Sequence, residues 1–219
     1  MFFFGESIRV DQSRVFLLIG MGGCGKTQLA RKFMETVYLR FNSSLTLVFY
    51  IDATTTETLQ AGFASIARTN GFDNSHDAAL AWMSTLDQPF FLYIDNADDH
   101  TMNLRNYFPK SNYARILITT RLRDAKQKYG TGRDSAIHLD PLGGGEAKEL
   151  LLLTADLEVA VGQEESVCEL LQELHYHPLA VVQAGAAIFK IQWTAHTGGW
   201  SVGEKASDIP PAFVRNLHT

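Results

Sequence analysis

Val15-Phe16-Leu17-Leu18-Ile19 runs without a polar side chain into Gly20-Met21-Gly22-Gly23-Cys24-Gly25-Lys26-Thr27. The apolar run predicts a buried strand, and Gly25-Lys26-Thr27 opens a predicted helix. The spacing from Gly20 to Gly25-Lys26-Thr27 is that of a loop built to cradle phosphates. Glycines at 20, 22, 23 and 25 let the backbone come close and turn its N–H groups inward. The new helix adds its positive end, where Gln28 follows the loop. Lys26 offers a mobile cation to the outer phosphates and Thr27 a hydroxyl to magnesium. The competing reading is a glycine turn between strand and helix in some other α/β protein.

Further along, strands and helices alternate. Helices are predicted over Gly25–Leu39, Thr58–Thr69 (with capping residues at Thr54–Glu57), Ala78–Leu86 and Leu122–Tyr129, where apolar residues recur at helical spacing. Strands are predicted over Val15–Ile19, Leu45–Ile51, Phe90–Ile94 with Asp95 at its end, Ala114–Thr120, and Ile137–Leu139. Nearly all-apolar strands alternating with helices imply a parallel sheet covered on both faces, with ligands at the carboxyl ends of the strands. The glycine loop, Asp95 and Arg121 all fall at that edge. After Gly143-Gly144-Gly145 the strand signal stops. Glu146–Leu153, Glu164–Leu174 and Leu179–Ile191 read as helices, so residues 1–141 form an α/β domain and 142–191 a small helical one. Residues 192–219 show no periodicity and are expected to be an irregular tail.

The 219 residues suit one α/β domain with a small appended module, and 46% hydrophobic residues allow a sizeable core. With 19 basic and 24 acidic residues the formal charge is −5 and no like-charge block stands out, so nucleic acid is not an expected partner. No stretch reaches membrane-spanning length, so no membrane partner is expected. Two cysteines, one of them inside the glycine loop, fit a reducing compartment better than a structural disulfide, and a cytoplasmic location is expected.

Three positions carry chemistry: Lys26, Asp95 and Arg121. Asp95 closes a hydrophobic strand beside the loop, placed to hold magnesium through water together with Thr27; the plainer alternative is an Asp capping a turn. Arg121 ends Ile116-Leu117-Ile118-Thr119-Thr120, where a guanidinium can pair with a terminal phosphate; the alternative is a surface Arg at a strand end. Thr119 or Thr120 is a candidate for the same phosphate. Asn96 stands where many hydrolysing relatives place a second acid. An amide orients water but takes no proton, so slow turnover is expected unless Asp98 or Asp99 substitutes. His175 and His177 lack further metal ligands at a familiar spacing, and Pro178 suits a helix start.

These residues together resemble the NB-ARC family of signal-transducing nucleotide switches, over about Arg14 to Phe189. The resemblance rests on Gly20–Thr27, Leu92-Tyr93-Ile94-Asp95, Ile118-Thr119-Thr120-Arg121, Leu139-Asp140-Pro141-Leu142 and His177-Pro178-Leu179-Ala180. The wording Asp95-Asn96-Ala97-Asp98-Asp99 is similar to fungal members. The resemblance implies a P-loop NTPase parallel sheet in the order 5-1-4-3-2, flanked by helices and followed by a small all-helical subdomain. It also implies ATP or ADP with Mg2+ as ligands, and Pro178 as the residue that contacts adenine. Departures are His177 in place of a glycine, a short segment before the first strand in which Phe3-Phe4-Gly5 begins a reduced arm, and no Met-His-Asp motif. The chain therefore reads as a product truncated before the family's winged-helix subdomain.

Three functions are expected in turn. The first is an ATP/ADP-binding switch module of an innate-immunity or self/non-self signalling protein. It would be at most a slow ATPase, with protein partners engaged through the helical subdomain or by self-association. The second is an active AAA-like P-loop ATPase. The third is an inert fragment acting only as a protein-interaction module.

Overall fold

A computed structural model describes residues 14–40, 47–157 and 164–197. The chain divides between Pro141 and Leu142 into two compact units.

The first unit runs β1 (Arg14–Gly20), α1 (Lys26–Arg40), β2 (Leu47–Asp52), α2 (Thr56–Thr69), α3 (His76–Thr85), β3 (Phe90–Asp95), β4 (Ala114–Thr120), α4 (Ala125–Tyr129) and β5 (Ala136–Leu139). All four strand pairings are parallel, in the order β2-β3-β4-β1-β5. This is the P-loop NTPase sheet, 5-1-4-3-2 counted from the other edge. Every residue of β3 is buried, because β3 lies between β2 and β4 and both of its faces are covered. The two-residue period of a strand sorts its side chains. Phe90, Leu92 and Ile94 join Leu59, Phe63 and Met83 of α2 and α3 in one core. Phe91 and Tyr93 join Ala30 and Met34 of α1 in the other. Asp95 continues the second series, which puts its carboxyl on the α1 face, at the carboxyl edge of the sheet.

Local chemistry sets the element ends. Thr55 caps α2: its hydroxyl accepts from Thr58 N at 3.2 Å, while Thr58 Oγ1 accepts from Thr55 N at 3.0 Å. Reciprocal capping of this kind starts the helix at Thr56, two residues before the apolar periodicity does. α4 is shorter than the sequence predicts. Arg121 N donates to Asp98 Oδ1 and Leu122 N to Thr120 Oγ1, so this backbone is held by side chains and helix begins only at Ala125. A 3-10 turn over Leu104–Tyr107, with no periodic signal in the sequence, packs Leu104 and Tyr107 into the larger core. The predicted start of β2 at Leu45 lies outside the described residues.

The second unit is helical: α5 (Gly144–Ala155), α6 (Glu164–Glu173) and α7 (Pro178–Thr197), around Ala147, Leu151, Leu171 and Val181. α5 starts two residues before Glu146, whose carboxylate accepts from Gly143 N at 3.0 Å. A Cβ on Gly185 would lie 1.9 Å from Thr154 Oγ1, so glycine is what lets α7 approach α5. α7 continues through Thr197, so residues 192–197 are helical rather than part of an irregular tail; 198–219 lie outside the described residues. No helix among the described residues is long and apolar enough to cross a membrane.

Candidate functional site

The site is built where β1, β3 and β4 end together. β1 stops at Gly20, and a Cβ there would lie 2.7 Å from Cys24 Sγ and 2.8 Å from Leu139 O, so only glycine fits. Gly23 and Gly25 carry φ of 75° and 94°, the left-handed conformations that turn the chain tightly into α1. Cys24 is buried with its sulfur packed inward, so it contributes backbone rather than a thiol to the loop surface. The amides of Gly23, Gly25, Lys26, Thr27 and Gln28 meet no acceptor among the described residues. Lys26 Nζ lies back on the loop, donating to Gly20 O at 2.9 Å and Met21 O at 2.8 Å. Open amides, one ammonium and a floor too close for any side chain are the donor set that a chain of phosphates requires.

Thr27, second residue of α1, meets Asp95 across the edge: its hydroxyl donates to Oδ1 at 3.1 Å and Oδ2 at 3.3 Å. Hydroxyl and carboxylate oxygens side by side fit a magnesium ion, which binds few protein oxygens and keeps most of its water. Asp95 is 2% exposed. Two further hydroxyls hold it: Tyr93 donates to Oδ1 at 2.7 Å and Thr119 donates to the same oxygen. Oδ1 thus carries three donors and Oδ2 one long one. Burial, then the hydrogen bond to Asp95 and its charge, pushes the Tyr93 phenol well above its ordinary range, so it stays a neutral donor. Tyr50, edge to face with Tyr93 at 5.4 Å, is raised too, by burial and by the charges of Asp95 and Asp52.

Arg121 lies at the same edge. Asp98 takes its backbone N–H on Oδ1 at 2.6 Å and its Nε on Oδ2 at 2.5 Å. A Cβ on Gly22 would come 3.8 Å from Arg121 Nη1, so the guanidinium flanks the glycine loop. The other sequence candidates fall elsewhere. Thr119 and Thr120 do not reach out as phosphate ligands: Thr119 Oγ1 holds Asp95 and accepts from Asn96 N, and Thr120 Oγ1 donates to Ala97 O at 2.6 Å. Nor are Asp98 and Asp99 free as bases. Asp98 is bound to Arg121, and Asp99 accepts from Thr101 N and Oγ1 at 2.8 and 2.6 Å, which holds its carboxyl below the usual range. Asn96 is exposed with φ of 60°, a conformation asparagine tolerates. Pro178 is the first residue of α7 in the second unit, following His175 and Tyr176 with φ of 49° and 56°. Tyr93 is the site residue that a motif-based reading overlooks. Its place two residues before Asp95 on a strand is the signal that could have found it.

A family model described as the NB-ARC domain matches residues 6–156. The chain belongs to the NB-ARC family. Two of the many solved structures that share the fold of this NB-ARC chain serve as examples. One is the ORC1 protein of Aeropyrum pernix in complex with DNA, 14% identical with a TM-score of 0.57, covering 94% of this chain and 59% of that one. The other is a RuvB variant of Thermotoga maritima, 14% identical with a TM-score of 0.52, covering 84% of this chain and 57% of that one. At such identity the likeness is one of fold, and the NB-ARC chain spans less than two thirds of either neighbour. No curated protein matches its sequence.

Proposed function

We propose that this NB-ARC chain is the ATP/ADP-binding switch module of a cytoplasmic signalling protein of the innate-immunity or self/non-self kind, with slow hydrolysis or none. The observation that carries the proposal is the meeting of Thr27 and Asp95 at 3.1 Å beside a loop that holds Lys26 and whose amides at 23 and 25–28 meet no acceptor among the described residues. In this reading the amides and Lys26 hold the phosphates. Thr27 would offer magnesium its hydroxyl and Asp95 would hold it through water, and magnesium when bound offsets phosphate charge. Arg121 senses the terminal phosphate. Pro178 enters on the family resemblance, as the residue whose counterpart contacts adenine. Protein partners, engaged through α5–α7 or by self-association, belong to the proposal as well. Nucleic acid does not, since the sequence has a net charge of −5 and no block of like charge to favour a duplex.

Slow turnover is supported by the carboxylates around Asp95. Position 96 is an amide, and the next two acids are committed to Arg121 and to Thr101. Within Asn96–Asp99, each carboxylate already has a partner of its own, which does not favour its taking a proton from water. A switch also needs its two nucleotide states to differ: reversing a 1:99 population takes about 5.5 kcal/mol of differential affinity. Arg121 is the group in the site suited to tell ATP from ADP.

Calorimetry with MgATP and MgADP on the full chain is the test, with Lys26→Ala as control. Leaving phosphate charge unpaired is expected to cost about 2–5 kcal/mol of affinity. Unchanged affinity in Lys26→Ala removes the proposal. Steady-state turnover near one per second or above favours an active AAA-like ATPase instead, and absence of nucleotide binding favours a module that only engages proteins.

A further inference from the structure

Asp98 grips Arg121 in a way that leaves the working end of the guanidinium open. Its two carboxylate oxygens take the backbone N–H at 2.6 Å and Nε at 2.5 Å, so neither Nη group is used in the pair. The open side of that fork lies by the glycine loop, where Nη1 and Cδ are the first atoms a Gly22 Cβ would meet, at 3.8 and 4.0 Å. The anchor is itself fixed. Asp98 N donates to Asn96 O at 2.8 Å, Ala97 N to Thr119 O at 3.0 Å, and Thr120 Oγ1 to Ala97 O at 2.6 Å. Four residues, Asp95 to Asp98, therefore carry both the proposed magnesium carboxylate and the anchor of Arg121.

We propose that Asp98 is a positioning residue that aims Arg121 at the terminal phosphate. The inference rests on the nucleotide-switch reading above and deepens it. Arginine side chains are long and rotamer-rich, and the Arg121 side chain is 62% exposed. Without an anchor it would sample many directions, and each encounter with a phosphate would have to fix it anew. Held at its backbone N–H and at Nε, it presents two Nη donors in a set direction, the geometry for a two-point contact with an anion. ADP lacks the phosphate this fork would meet, so the anchor should count for ATP and not for ADP.

A surface ion pair that serves only the fold would behave differently: its loss would lower stability slightly and leave nucleotide preference alone. Equilibrium binding of MgATP and MgADP to the full chain separates the two roles. Asp98→Ala is expected to raise the ratio Kd(ATP)/Kd(ADP) by about tenfold, the effect of losing one charged hydrogen bond, with Kd(ADP) unchanged. Arg121→Ala should raise the ratio at least as far, and the double variant no further than Arg121→Ala alone, because both changes remove one contact. Asp98→Asn, which keeps an acceptor for Arg121 N and a nearly identical shape, covers the case where Asp98→Ala fails to fold and should shift the ratio in the same direction. Binding by the wild-type chain together with an unchanged ratio in both Asp98 variants overturns this inference alone, as do additive effects in the double variant. A wild-type chain that binds neither nucleotide, or an Arg121→Ala ratio that does not move, overturns the switch reading and this inference with it.

Discussion

Gly20→Ala adds one methyl group where β1 enters the glycine loop. The new carbon would sit 2.7 Å from Cys24 Sγ, 2.8 Å from Leu139 O and 3.2 Å from Leu139 Cβ. The sulfur can turn aside, but the carbonyl belongs to β5, which is paired in register with β1 at Gly20 and Leu139. Relief therefore requires the two strands to part or the loop to lift. Overpacking a tight site costs about 1–3 kcal/mol, and a clash with backbone belongs at the upper end. At about 3 kcal/mol, a chain of this length should lose roughly 6–12 °C in Tm. The displaced Gly20 carbonyl is also one of the two acceptors of Lys26 Nζ, so nucleotide affinity should fall with stability. Thermal unfolding by circular dichroism reads the first effect and calorimetry the second. Cys24→Ala in the same chain removes the nearer contact and leaves the carbonyl clash, so the double variant should recover part of the loss, about 1 kcal/mol. A Tm for Gly20→Ala within about 2 °C of wild type would refute the reasoning, since that is under 1 kcal/mol for a domain of this size.

Phe63→Ala empties a fully buried site stacked on Tyr107 at 6.1 Å, and urea unfolding should show a loss of about 3–5 kcal/mol. Asp99 should titrate below the ordinary carboxylate range in an NMR pH series, and Thr101→Ala, which removes the side-chain donor, should move it upward. Because folding depresses this group, its contribution to stability is present above the ordinary value of about 4 and is lost as pH falls through the folded value. An Asp99 that titrates normally in wild type would mean that the Thr101 turn does not form.

Much of the architecture is legible in residue order because its signals are local. β4 spans Ala114–Thr120 as its apolar run predicts, and β3 ends on Asp95 because the run from Phe90 has no polar interruption before it. One kind of error arises where a side chain takes over a backbone group. Asp98 and Thr120 occupy the amides of Arg121 and Leu122 and delay α4. Periodicity also fails at helix ends. α7 runs past Ile191 through a Trp- and Thr-containing segment that carries little amphipathic pattern.

The sequence by itself determined that a buried strand feeds a glycine loop and then a helix, that a carboxylate and a guanidinium end two other strands, and that these strands lie parallel. Each of these is a matter of hydrophobic period and of the few residues that fit a tight turn. Tertiary structure alone decided which partners those end groups meet. It gave the Asp95 carboxylate hydroxyls from Thr27, Tyr93 and Thr119, and it spent Asp98 on Arg121 rather than on water. Such pairings join positions up to 68 residues apart. They depend on strand register and on which face a side chain takes, quantities that exist only once the sheet has closed.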